Sequence, residues 1–221
     1  MISLHFLKTA ELHDDSMLAD IESILTEHGN RALGALSIKS EVNISVFFKA
    51  AWTIQDTGET GYTPTSEWIQ ITLDVTGAKH SIETVIRKRL PATIYHEMNH
   101  VRRWQTTGFG SGFDEELVSE GLACAFEMEQ WQHDETPLFF ASDEEINLFI
   151  DLVHSKRSEM KENYNYFEWF TRGSDVVPKW LGYKLGYYVV KKALEATPNK
   201  NVSDLTSLSA SEVIAMSGVI I

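Results

Sequence analysis

Residues 92–101, ATIYHEMNHV, constrain this chain more than any other stretch. His96 and His100 stand four positions apart, and Glu97 directly follows the first of them. On an α-helix, positions i and i+4 lie one above the other on the same face, so both imidazoles can reach one metal ion. The fold must therefore supply a helix with this face turned inward. Ile94, Met98 and Val101 recur at steps of four and three, the pattern of a half-buried helix. The spacing predicts one helix over residues 81–105, begun or interrupted near Pro91. Two imidazole nitrogens with room for a third ligand and a water suit zinc best. Glu97 stands beside that site, where a carboxylate can take a proton from the water as general base.

Such a site needs a third protein ligand. Residues 114–132, DEELVSEGLACAFEMEQWQ, read as a strong helix, with Asp114, Glu115 and Glu116 suited to its positive N-terminal end. Glu120 lies on this run among Leu117, Val118, Leu122, Ala123 and Ala125. A carboxylate in such surroundings needs a partner, because an unpaired buried charge is costly, and a zinc ion would be one. Glu116 (one turn earlier), Asp114 and Cys124 are the alternatives to Glu120 as third ligand. Gly121 and Ala123 are small enough to let this helix approach the histidine helix closely.

HExxH followed by a glutamate on a second helix resembles the gluzincin metallopeptidases, of which thermolysin is the familiar member. More narrowly, YHEMNHVRR, LVSEGLACAFE and VPKWLGYKLGYYVVKK resemble the YjaZ-like family of predicted zinc-dependent proteases, and the resemblance spans residues 73–217. It implies an α+β, zincin-like fold: a small N-terminal mixed sheet with helices, a mostly helical C-terminal half, and a zinc site in the cleft between them. It also implies one Zn2+ per chain held by His96, His100 and Glu120, with Glu97 as general base. Many gluzincins carry an aspartate four residues after the ligand glutamate, bonded to a zinc histidine; here that position is Cys124, and Glu127, one further turn along, is the candidate to take over the contact. In amide hydrolysis a donor must stabilise the oxygen that becomes negative. By the same resemblance Tyr183 is the first choice for that donor and Tyr187 the second, with His154 and His133 as further candidates.

Composition narrows the partners. The chain carries 32 acidic and 19 basic residues, a net charge of −13, which opposes binding to nucleic-acid backbones and anionic membrane surfaces. The expected partner is a peptide or protein substrate. A single cysteine rules out an internal disulfide. The opening MISLHFLKTAEL has no signal-peptide core, and no run approaches the ~18 apolar residues of a membrane span, so a cytoplasmic protein is expected. Two other readings stay open: a zinc-containing binding or chaperone-like module with weak or no proteolysis, and a purely structural metal closed by Cys124.

The remaining chain reads as one domain over 1–221, with an α/β lobe over 1–107 and a helical lobe over 108–221. Strands are expected over 2–8, 42–51 and 68–75, and a helix over 12–36 that Gly29-Asn30 can end. Residues 56–66, DTGETGYTPTS, read as a loop or hairpin connection. The strand over 68–75 is the candidate edge for holding an extended substrate. Residues 106–113, TTGFGSGF, read as a glycine-rich rim, not a phosphate loop, because no strand precedes them and no Lys-Ser/Thr follows. Beyond a turn over 134–140, Ser142 with Glu145 marks a helix start, 177–180 opens a last long helix through Ala196, and a short helix begins at Ser209 or Ala210.

Overall fold

The structure is a computed structural model, described here for residues 1–9, 16–108, 110–131 and 139–221. It is a mixed α+β protein with one small four-stranded sheet and a mostly helical remainder. Contacts divide the chain into two compact units: Met1–Gln105 with Glu127–Gln132, and Thr106–Phe126 with His133–Ile221. His133, most of the turn expected over 134–140 and the start expected for the first helix at 12–15 lie outside the described residues.

The first unit opens with β1 (Ile2–Leu7), α1 (Ser16–Ala35) and β2 (Val42–Phe48). β1 and β2 pair in parallel, with Ile2 opposite Val42, so α1 is the crossover that two neighbouring parallel strands require. The helix does not end at Gly29-Asn30. It runs on to Ala35, because Gly29 sits where a Cβ would meet the Ile2 side chain at 3.1 Å: the glycine makes room for β1 and does not cap.

A second departure lies in residues 56–66. The stretch read as a connection contains a strand, β3 (Glu59–Thr65), paired antiparallel with β4 (Trp68–Leu73). Its glycine and proline hide the β-tendency of Thr60, Tyr62, Thr63 and Thr65, and the register slips between Tyr62 and Thr65, where Pro64 cannot donate to the ladder. The strand order is β1-β2-β4-β3, which makes β4 interior and β3 an edge. The strand over 68–75 is therefore not available for substrate addition at an edge; β2 and β3 already occupy both its sides. On one face of the sheet, Ile44, Val46, Phe48, Ile69, Ile71 and Leu73 are fully buried.

The predicted histidine helix is present as α2 (Leu90–Thr106), preceded without a break by a π-helical turn, Thr84–Arg89. Pro91 explains the change of register. Inside an α-helix its ring would collide with the carbonyl four residues back, and the wider π-turn relieves that clash. Ile94, Met98 and Val101 are fully buried, as their spacing requires.

The second unit contains α3 (Phe113–Gln130) up to Phe126, then α4 (Asp143–Asn163), a π-helical turn at Phe167–Arg172, α5 (Leu181–Ala196), α6 (Val202–Thr206) and α7 (Ala210–Ser217). Ser142 and Glu145 form a reciprocal capping box on α4, and Ser209 with Glu212 does the same on α7. Phe113, Leu117, Phe149, Val153, Phe170 and Leu185 belong to one apolar core. Gly121 of α3 and Gly186 of α5 meet backbone to backbone: a Cβ on Gly121 would lie 2.2 Å from the Gly186 carbonyl oxygen. The expectation that Gly121 serves the approach to the histidine helix is thus replaced by a contact with α5. No helix among the described residues is long and apolar enough to cross a membrane.

Candidate metal centre

The helical spacing of α2 brings its two histidines together. The rings of His96 and His100 are edge to face, with centroids 4.9 Å apart. His100 and Glu97 are buried and His96 is half-buried. Nδ1 of His96 lies 3.5 Å from Oε2 of Glu127. Glu127, the residue expected from sequence to contact a histidine of this helix, thus lies beside Nδ1 of His96, and a proton on Nδ1 toward it would leave Nε2 as the basic nitrogen.

Glu97 is held from the sheet. In β3 alternate residues point to the same side, and Glu59, Gly61 and Thr63 all reach α2. The Thr63 hydroxyl donates to Oε2 of Glu97 at 2.6 Å and lies 3.2 Å from the Glu97 carbonyl oxygen. A Cβ on Gly61 would lie 2.3 Å from Oε1 of Glu97, so the carboxyl group occupies the space a side chain would take. The Thr63 carbonyl accepts from Nε1 of Trp104 at 3.1 Å, a second tie between β3 and α2.

Glu120, buried on α3, accepts a hydrogen bond on Oε1 from the Tyr166 hydroxyl at 3.0 Å. The Tyr166 hydroxyl is in turn 3.4 Å from that of Tyr183. Tyr166 stacks flat on Phe170 at 4.8 Å, and Tyr183 meets the edges of Phe170 and Trp180. Trp180, just before α5, has a left-handed backbone (φ 64°), a costly conformation for a tryptophan that puts its ring against Tyr183. Burial, reinforced by the nearby Glu120 charge, raises the Tyr166 and Tyr183 hydroxyls above the ordinary tyrosine range, so both remain protonated donors.

The rival ligands have other surroundings. Glu116 accepts from the Tyr164 hydroxyl, and burial raises its carboxyl above the ordinary range, with the Glu120 charge adding to the shift. Asp114 pairs with Arg157 at 2.7 Å, and Cys124 is fully buried. His154 bonds the Ile220 carbonyl oxygen at 3.0 Å, and the Tyr187 ring packs on Phe139 and Phe140. Among the described residues, His96, His100 and Glu120 form a group that could hold a metal ion, their ligand atoms within 4.8 Å of one another. Two imidazoles and one carboxylate are a donor set that suits zinc, which takes such atoms at about 2.0–2.2 Å. Tyr166, Thr63 and Gly61 were not anticipated. Tyr166 lay in an aromatic-rich stretch, and Gly61 and Thr63 in a stretch whose glycine and proline read as a turn.

The profile of a family described as Predicted Zn-dependent protease (DUF2268) matches residues 21–215. No curated protein and no solved structure matches the chain.

Proposed function

Because the chain belongs to this family of predicted zinc-dependent proteases, we propose that it hydrolyses peptide bonds, with one zinc ion held by His96, His100 and Glu120 and Glu97 as general base. The observation that carries the reading is the gathering of those two imidazoles and one carboxylate, with the Glu97 carboxylate held next in sequence to His96. Zinc in such a site supplies Lewis acidity and makes water nucleophilic near neutral pH.

The chain's own residues do the rest. Glu97 accepts the proton of the attacking water and delivers it to the nitrogen of the departing amine, so its carboxylate is restored at the end of each turnover. Glu127 fixes the His96 ring through Nδ1, and Tyr166 fixes one oxygen of Glu120. Tyr183 is the first candidate to donate to the developing oxyanion and Tyr187 the second; the raised pKa of Tyr183 suits a donor that must stay protonated. An extended peptide would add to β3, the edge strand beside Glu97, through backbone hydrogen bonds.

Zinc content tests the ligand set. Wild type is expected to bind one zinc per chain by elemental analysis, and Glu120→Ala to lose most of it under the same dialysis. Full zinc retention by Glu120→Ala would remove that residue from the set.

A further inference from the structure

The hydrogen bond from the edge strand to Glu97 has a consequence for the proposed reaction. A general base on a flexible glutamate side chain must present one particular oxygen to the water, and misplacement by about 1 Å can cost on the order of 100-fold in rate. Within α2 the hydroxyl on the same face, that of Thr93 four positions before Glu97, is engaged elsewhere, with the Arg89 carbonyl and Glu59. Control has to come from whatever packs against the carboxylate, and here that is β3.

We infer that Thr63 is a positioning residue for Glu97: its hydroxyl anchors Oε2 while Gly61 leaves open the space that Oε1 occupies. Three observations carry this. The 2.6 Å separation is a close hydrogen bond with the hydroxyl as donor. Thr63 is buried, so water does not compete for its hydroxyl. Gly61 leaves room for Glu97 in this position, since a Cβ there would lie 2.3, 2.5 and 2.6 Å from Oε1, Cγ and Cδ of Glu97 and displace its carboxyl group. The two oxygens of Glu97 thereby take different tasks. Oε2 is fixed by the strand, and Oε1 is the oxygen that carries the proton. Trp104 steadies the arrangement by bonding the Thr63 carbonyl, which keeps this point of the strand in place on the helix.

The inference rests on Glu97 being the general base, and the test separates the two. Wild type, Thr63→Val and Thr63→Ser are crystallised and, zinc-loaded, assayed on a peptide cleaved by wild type from a mixed peptide library. Valine keeps the shape and removes the donor; serine keeps the donor. In Thr63→Val the Glu97 carboxylate is expected to leave its position, with kcat down about tenfold or more, KM within about twofold and zinc content unchanged. Thr63→Ser is expected to restore both position and kcat. A carboxylate that stays in place in Thr63→Val, or one that moves with kcat unchanged, overturns the inference. If Thr63→Val does not fold, Thr63→Ala serves as the donorless variant under the same criteria. If wild type cleaves nothing, the peptidase reading fails, while the crystal structures still decide whether Thr63 holds Glu97.

Discussion

Glu59 shows how much a single residue of β3 is asked to bear. It is buried, its Oε1 is 3.4 Å from the Thr93 hydroxyl, and its Oε2 has no hydrogen-bond partner among the described residues. Burial pushes its carboxyl above the ordinary glutamate value; Thr57 and the Arg89 charge pull it part of the way back, and Glu127 opposes them. The sign of the resulting pH dependence follows by linkage. Below the ordinary value of 4.5 both folded and unfolded chains hold the proton, so nothing is lost. Between 4.5 and the raised folded value only the folded chain holds it, and stability falls as pH rises through that window. Glu59→Gln removes the titration and keeps the shape. The difference in Tm, variant minus wild type, is therefore expected to grow in the variant's favour as pH rises above 4.5, by roughly 2–4 °C for each kcal/mol recovered. A difference that is flat with pH would contradict this account. At this scale the sequence was informative only where chemistry is local. His96, Glu97 and His100 are legible because helix periodicity alone places them, and Glu127 because it falls one turn beyond Cys124. Thr63, Gly61 and Tyr166 were not, because each acts on a residue far away in the chain.

Among the elements, the α3–α5 contact is the most demanding. The two helices touch through Gly121 and Gly186, where a Cβ on either would come within 2.2–2.3 Å of backbone oxygen. Backbone cannot step aside as a flexible side chain does. Gly121→Ala is expected to destabilise by about 3 kcal/mol, the upper end for overpacking, read as a lower urea midpoint. Gly34→Ala provides the contrast: its methyl group meets nothing within 4 Å, and the change is expected to stabilise α1 by up to about 1 kcal/mol. Equal effects of the two would contradict the packing described. Most elements are legible from period and caps: β1, β2, β4, α2, α3, the capping box of α4 and the start of α7. β3 was missed because turn-forming residues outweighed strand-forming ones locally, whereas pairing with β4 decides its conformation. Nearness in sequence to α2 points to β4 as the edge, whereas pairing makes β3 the edge. The continuation of α1 through Gly29 was missed for a related reason, since the need for space beside Ile2 is set by the sheet.

For the whole molecule, the family match over residues 21–215 runs through both compact units. The chain leaves the second unit within α3, and Glu127–Gln132 return to the first. Trp131 explains part of that return: its Nε1 donates to the Lys88 carbonyl oxygen at 3.0 Å, and its ring meets His28 at 4.9 Å. A boundary placed by sequence in the glycine-rich stretch at 107/108 cannot contain this, because the partners of a helix's last turn are tertiary. The α+β class and the metal-capable group were legible, the first from alternating and helical periods and the second from HExxH with a glutamate on the next helix. The net charge of −13 adds only a preference against polyanionic partners. The central claim, that this chain is a peptidase with Glu97 as its base, is tested most directly by one comparison. Zinc-loaded wild type and Glu97→Gln, each with its zinc content measured, are incubated with a diverse peptide library, and products are read by mass spectrometry. The account predicts cleavage by wild type, none by Glu97→Gln, and equal zinc in both; cleavage by Glu97→Gln at the wild-type rate, or none by zinc-loaded wild type, would contradict it.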